Sequence, residues 1–319
     1  MEHGGGGVFT AKRSENLRMS KVVTLTLCPA IDVYCQADDF KPYAESLCEI
    51  VERAAGGKGV NISRALNACG VENLAVVVVG DENGKEYLKN LAESGVTEVK
   101  AITVGGRVRE NFTLRQRGQK ETRISFKGFS VTDEILKTCE QIIFAQKDLQ
   151  VVTFTGRIPD GVSLAEVKKL IFRLKEKGIK VVVDSKSFTL KDIEEVKPWL
   201  IKPNEEEIAE YLKTPVNGVD EAMDAARVLY GRGIENIMIS LGAKGAVLRC
   251  GQGEFYKAAP TVEVISTVGA GDSAIAGFIA AYLNGESAEN RLTAAVNLGS
   301  LVCSKGLNNL SRFTPLQRR

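Results

Sequence analysis

The segment best equipped for chemistry lies towards the carboxyl end of the chain: Thr267-Val-Gly-Ala-Gly-Asp-Ser273, running into Ala274-Ile-Ala-Gly-Phe-Ile-Ala-Ala-Tyr-Leu283. Ile275, Phe278, Ile279, Tyr282 and Leu283 recur at helical spacing, so the glycines stand where a helix begins. Gly269 and Gly271 carry no β-carbon and let backbone N–H groups come close to an anion, and the helix dipole adds a positive end. Asp272 in that place is expected to have a lowered pKa and to stay ionised. It could then accept a proton from an alcohol while the neighbouring N–H groups hold a migrating phosphoryl group. Taken alone, Gly-x-Gly-Asp is equally a structural turn whose aspartate stabilises the dipole.

Three further segments supply polar groups. Ala55-Gly-Gly-Lys-Gly-Val-Asn61 opens a second helix and offers Gly57, Lys58 and Asn61 as a ligand cradle, although a strand-to-helix loop with an exposed lysine has the same appearance. The spacing is not that of a P-loop. Lys202-Pro-Asn-Glu-Glu-Glu-Ile208 sets Asn204 and Glu207 three apart, expected on one helix face, where they suit a water-mediated Mg²⁺ site or simply an acidic helix start. Ser240-Leu-Gly-Ala-Lys-Gly245 places a glycine-rich turn after a strand. The one histidine, His3, lies in a glycine-rich leader, which removes Ser-His-Asp and Cys-His catalysis and histidine-ligated metals.

The elements that position these residues alternate. Apolar runs at Val22–Leu27, Leu74–Val79, Val151–Thr155, Ile179–Val183 and Ile237–Leu241 predict buried parallel strands. Helical patterns at Ile62–Cys69, Lys85–Ser94, Leu164–Lys177 and Ala222–Tyr230 lie between them, some ending at a glycine (Gly70, Gly95, Gly178). Segments 32–53 and 107–127 break the rhythm with β-rich patterns, the second turning at Arg117–Lys120, and predict antiparallel insertions that form a small lid. Residues 1–18 are expected to be a disordered leader or an artificial extension, with one domain over residues 19–319.

Composition bounds the rest. The chain of 319 residues is 44% apolar and 26% charged, with a net charge of +2, which argues against nucleic acid as a partner. No apolar run reaches the roughly 20 residues of a membrane span, and the leader lacks the apolar core of a secretory signal. Seven scattered cysteines with no Cys-x-x-Cys pair are expected to be buried, reduced thiols of a cytoplasmic protein.

In this order the segments resemble the ribokinase-like (PfkB) carbohydrate kinases, from about Val22 to about Asn308. Ser266-Thr-Val-Gly-Ala-Gly-Asp272 is similar to the family's C-terminal signature and Gly56-Gly-Lys-Gly-Val-Asn61 to its N-terminal one. Thr24-Leu-Thr-Leu-Cys-Pro-Ala-Ile-Asp32 and Val108-Arg-Glu-Asn111 resemble the branch acting on sugar phosphates, with Cys28 where asparagine or alanine is usual. The family loop Gly-Ser-Leu-Pro-x-Gly reads Gly156-Arg-Ile-Pro-Asp-Gly161, so Arg157 stands where a small serine is common beside the sugar.

The resemblance implies a three-layer α/β/α domain with a mostly parallel sheet and a β lid, pairing with a second copy through that lid. It implies ATP and Mg²⁺, and leaves a monovalent cation requirement open. Asp32, Gly57, Lys58 and Asn61 would hold the sugar, and Arg109 and Arg123 its phosphate. Asp272 would be the base, with the N–H groups of Ala270, Gly271 and Asp272 stabilising the transferred group after Gly269. Ser240, Gly242, Gly245 and Asn204 would line ATP, and Asn204 and Glu207 would order Mg²⁺ through water. The expected reaction converts fructose 1-phosphate to fructose 1,6-bisphosphate, with tagatose 6-phosphate or fructose 6-phosphate as alternative acceptors. A non-catalytic sugar-phosphate sensor or a nucleoside kinase are readings from other classes.

Overall fold

A computed structural model describes residues 20–41, 43–116 and 121–310. The expected leader at 1–18, the start at Met19 and the turn at Arg117–Lys120 lie outside the described residues.

Among the described residues the chain runs β1 (Val22–Thr26), β2 (Ala30–Ala37), β3 (Glu49–Gly56), α1 (Lys58–Ala68), β4 (Asn73–Gly80), α2 (Gly84–Glu93), β5 (Val99–Val104), β6 (Arg109–Gln116), β7 (Thr122–Ser125) and α3 (Asp133–Phe144). It continues through β8 (Val151–Thr155), α4 (Leu164–Glu176), β9 (Lys180–Asp184), α5 (Leu190–Val196), β10 (Leu200–Ile201), α6 (Glu205–Leu212) and α7 (Val219–Gly231). The last elements are β11 (Asn236–Ser240), β12 (Ala246–Cys250), β13 (Gly253–Lys257), α8 (Ala270–Leu283) and α9 (Ala288–Lys305). A nine-stranded sheet has the order β13-β12-β11-β10-β9-β8-β1-β4-β5, parallel throughout except for the antiparallel β11-β12-β13 edge.

Both faces of this sheet are covered, as a parallel sheet requires, so its strands read as apolar runs rather than alternations. Period-2 geometry then divides neighbours between two cores. Val181 and Val183 join Leu170 and Leu174 of α4 on one face, while Val182 meets Ile275, Phe278 and Ile279 of α8 on the other. Trp199, buried just before β10, packs edge-on against Phe278 with centroids 5.6 Å apart and lies 4.6 Å from the Tyr282 ring. Helix α9 packs along α8. Buried Ala288, Leu292, Ala294, Val296, Leu298 and Val302 spread over roughly half of its circumference, so no narrow apolar stripe marks it in the sequence.

The small sheet has the order β3-β2-β6-β7. The β2–β3 and β6–β7 pairs are antiparallel as expected, but β2 and β6 run parallel, because β4 and β5 of the main sheet intervene before the chain returns. Ile31, Val33 and Ala55 anchor this sheet to Val77, Val79, Tyr87 and Leu91, and the Tyr87 hydroxyl donates to Gly56 O at 3.1 Å. The cysteines are free thiols, but only Cys35, Cys139 and Cys250 are buried; Cys48 is exposed, because it immediately precedes the solvent-facing start of β3. No described helix is long and apolar enough to cross a membrane.

Gly277 lets α8 and α9 touch: a β-carbon there would stand 2.6 Å from the Ala294 carbonyl oxygen and 2.9 Å from its carbon. Helix propensity alone would make Gly277→Ala stabilising by about 0.5–1 kcal/mol. Backbone cannot yield as a side chain can, so urea unfolding of Gly277→Ala should instead show a loss of about 1–3 kcal/mol.

Candidate active site

The carboxyl ends of parallel strands are where an α/β sheet presents ligand-binding groups. Here β1, β8, β9, β10 and β11 all deliver their following loops to one edge, and α1 and α8 begin there. Gly269 is the N-cap of α8 at φ 79°, a left-handed conformation that suits glycine, and a β-carbon there would lie 2.7 Å from Leu307. Asp272 is buried in the first turn, and its Oδ2 accepts a 2.8 Å hydrogen bond from Asn61 Nδ2 on α1. The Ala270 N–H is turned to Thr267 O at 3.3 Å, and the Ser273 N–H closes on Gly269 O at 2.8 Å. Among the described residues no backbone carbonyl accepts from the N–H of Gly271 or Asp272. The expected anion cradle of three N–H groups therefore has two free members, because Ala270 closes the turn. Lys202 adds a cation beside them: a β-carbon on Gly271 would lie 2.9 Å from its Nζ.

Gly57 caps α1 at φ 136°, and Lys58, the first helical residue, donates from Nζ to Asp184 Oδ2 at 2.9 Å. Burial opposes the Asp184 charge, but the ammonium groups of Lys202 and Lys58 hold its pKa below the ordinary carboxylate value. Burial likewise opposes the charge on Lys58, yet Asp184 and Asp272 keep its pKa above normal. Asp272 departs from expectation: its pKa is raised to about 6 rather than lowered. Burial is the largest cause, the Asp184 charge adds to the rise, and Lys58, the Asn61 hydrogen bond and Lys202 oppose it.

The small sheet forms the facing wall. Asp32 Oδ1 accepts from Asn111 Nδ2 and from Arg123 Nη2, each at 2.9 Å. Gly56 makes room for that carboxylate, since a β-carbon would fall 2.1 Å from Asp32 Oδ2. Among the described residues Arg109 reaches only carbonyls, Pro29 O and Phe126 O, both at 3.4 Å. Asp32, Gly57, Lys58, Asn61, Arg109, Arg123, Gly269 and Asp272 all line one cavity of about 620 Å³, together with Cys28, Asn111, Arg157 and Lys186 among others.

Asn204 and Glu207 do not share a helix face. Asn204 is the N-cap of α6 and exchanges hydrogen bonds with Glu207: its Oδ1 accepts from the Glu207 N–H at 2.7 Å, and Glu207 Oε2 accepts from the Asn204 N–H at 3.2 Å. Capping thus occupies the asparagine oxygen and leaves Glu207 Oε1, 3.6 Å from Lys186 Nζ. Glu207 lines a second cavity, of about 540 Å³, with Asp184, Ser185, Lys186 and Lys202. Ser240 bridges to Asn204 between β11 and the start of α6, and Gly242 turns at φ 56° with open space around its α-carbon. Gly245 instead meets β13, where a β-carbon would be 1.9 Å from Lys257 O, so packing demands that glycine.

With this geometry in view, a family model described as pfkB family carbohydrate kinase matches residues 19–312. The chain belongs to the pfkB family of carbohydrate kinases. It is therefore a phosphotransferase. This pfkB kinase is 30% identical over 305 residues to a 1-phosphofructokinase of Haemophilus influenzae, covering 93% of the chain and 96% of the relative. It is 31% identical to a 1-phosphofructokinase of Escherichia coli, covering 89% and 91%. Its fold matches the crystal structure of phosphofructokinase-2 from Escherichia coli in complex with substrates and products, with a TM-score of 0.86, 24% identity, and coverage of 92% and 97%.

Two residues of the candidate site, Asp184 and Lys202, do not stand out as site groups in the sequence. The available signal was position: each directly ends a short buried strand, β9 or β10, at the ligand-binding edge. The Asp272 carboxyl, followed by ¹³C NMR, should titrate near pH 6 in the free pfkB kinase. Lys58→Met removes a charge that favours the ionised form, so the midpoint should move upward; a midpoint near 4 in the unsubstituted protein would contradict the burial argument.

Proposed function

We propose that this kinase transfers the terminal phosphoryl group of ATP to fructose 1-phosphate, giving fructose 1,6-bisphosphate, with Asp272 as the base. The observation that carries the reading is the buried Asp272 carboxylate lining the cavity, where burial pushes its pKa up to about 6, beside two N–H groups that no backbone carbonyl takes among the described residues. A base works best with a pKa near the operating pH, because it is then both ionised and basic enough to take the proton. The attacking hydroxyl gives its proton to Asp272 as its oxygen forms the new bond to phosphorus. The bond to the departing ADP oxygen breaks on the opposite side. The N–H groups of Gly271 and Asp272 and the Lys202 ammonium meet the charge on the transferred group, and such positioning and electrostatics make up most of phosphoryl-transfer catalysis.

Asp32, Gly57, Lys58 and Asn61 hold the sugar, and Arg109 and Arg123 face its phosphate. ATP lies towards Ser240, Gly242 and Gly245. Oxygen donors on Asp184, Ser185 and Glu207 line one cavity and fit Mg²⁺, which takes one or two carboxylates together with substrate phosphates and needs no larger cluster. When bound, the ion neutralises phosphate charge. The names of the curated relatives support fructose 1-phosphate as acceptor.

The small sheet acts as the lid over the acceptor and as the contact between two copies. Exposed Leu47, Ile50, Val51, Ile124 and Phe126 on and beside it are the apolar surface that a partner would cover. Ile124→Glu combined with Val51→Glu should convert a dimer into a monomer in sedimentation velocity; an unchanged dimer would place the contact elsewhere.

ATP-coupled turnover with fructose 1-phosphate, tagatose 6-phosphate, fructose 6-phosphate and unphosphorylated fructose tests the reaction. Fructose 1-phosphate should be preferred, and another sugar phosphate in first place would rename the acceptor. Asp272→Asn should lower turnover by at least ~10²-fold, the lower end for removing a general base. Near-normal turnover in that variant would refute the role. As pH falls through about 6, Asp272 takes up a proton and can no longer accept one, so kcat/KM should decline below that point.

A further inference from the structure

We propose that Arg157 determines acceptor specificity by closing, together with Arg109, on the phosphate that the sugar already carries. The inference deepens the function proposed above and rests on it. Arg157 follows β8 in a loop held on both sides. Gly156 turns at φ 87° with its N–H on Asp184 O at 3.0 Å, and the Ile158 N–H donates to Ser187 Oγ at 3.1 Å. A residue between two fixed neighbours presents its side chain from a rigid base, which favours recognition over a wandering surface charge.

The charge balance of the cavity points the same way. Lys58 is paired with Asp184, Arg123 with Asp32, and Lys186 with Glu207 at 3.6 Å. Arg109 has only two long bonds to carbonyls, and Arg157 has no hydrogen bond or ion pair among the described residues. Both arginines line the cavity together with Cys28, and the charges of both reach its thiol, opposed by Asp160. Burial raises the Cys28 pKa, so the thiol stays neutral and supplies no anion between the two guanidinium groups. Two forked cations lining one cavity, without a carboxylate shared between them, match a phosphate dianion, which accepts paired N–H bonds from each. One fork belongs to the small sheet and the other to the main domain, so a single phosphate would tie the two together. An unphosphorylated sugar cannot make that tie.

The test compares Arg157→Ser, Arg157→Lys and the unsubstituted enzyme on fructose 1-phosphate, unphosphorylated fructose and ATP, with thermal melting as a check on the fold. In Arg157→Ser the KM for fructose 1-phosphate should rise about 10-fold or more, the scale for hydrogen bonds to a charged group. The preference for fructose 1-phosphate over fructose should fall with it, while the KM for ATP stays in place. Arg157→Lys keeps a point charge but loses the fork and should fall between. If the unsubstituted enzyme turns over fructose 1-phosphate and Arg157→Ser matches it within twofold in KM, the role of Arg157 is overturned and the function stands. If the unsubstituted enzyme turns over no sugar phosphate, the function falls and this role falls with it.

Discussion

The site depends on one buried hydrogen bond, from Asn61 to Asp272, which joins residues 211 positions apart and holds the first turns of α1 and α8 against each other. Two helix starts side by side concentrate free N–H groups and positive potential at one point. That would strip an exposed carboxylate of its basicity. Here the same convergence buries the carboxylate, and burial is the largest cause of its raised pKa. The outcome is a buried carboxylate of raised pKa beside free N–H groups and a lysine, a combination that an exposed helix start would not give.

Around this pair the charges alternate. Asp272 and Asp184 flank Lys58, and Lys202 stands beside Gly271 while its charge also acts on Asp184. Buried charges are tolerated when each has an opposite neighbour, and breaking one pair exposes the whole cost of burial. Each of these groups comes from the end of a different strand or the start of a helix, so the order of strands in the sheet fixes the order of charges. The close glycine contacts at Gly56, Gly59 and Gly271 are what permit the crowding: a β-carbon at Gly59 would stand 2.3 Å from Thr26 Oγ1.

Much of this was legible in the sequence, for identifiable reasons. The five apolar runs named as strands recur as β1, β4, β8, β9 and β11, because strands buried on both faces leave a continuous apolar trace. Asp272, Lys58 and Asn61 were readable because glycines mark helix starts at both. The protonation of Asp272 was not, since desolvation depends on what α1 and the small sheet place over it. Asn204 and Glu207 illustrate a second limit: three-residue spacing is shared by helix neighbours and by a capping box, and only the backbone angle at Asn204 separates them. Asp184 and Lys202 escaped notice because single charged residues after apolar runs are common; what distinguishes these is the edge to which their strands lead. The parallel β2–β6 pairing was hidden for a similar reason, as the strands are separated by two strands of the other sheet.

Trp199 is the only tryptophan of the chain. It sits against Phe278 and Tyr282, on the helix whose first turn holds Asp272. An indole's emission shifts with the polarity and packing of its surroundings. Its fluorescence is therefore a built-in optical gauge of how α8 is seated, free of background from other indoles and available without any label.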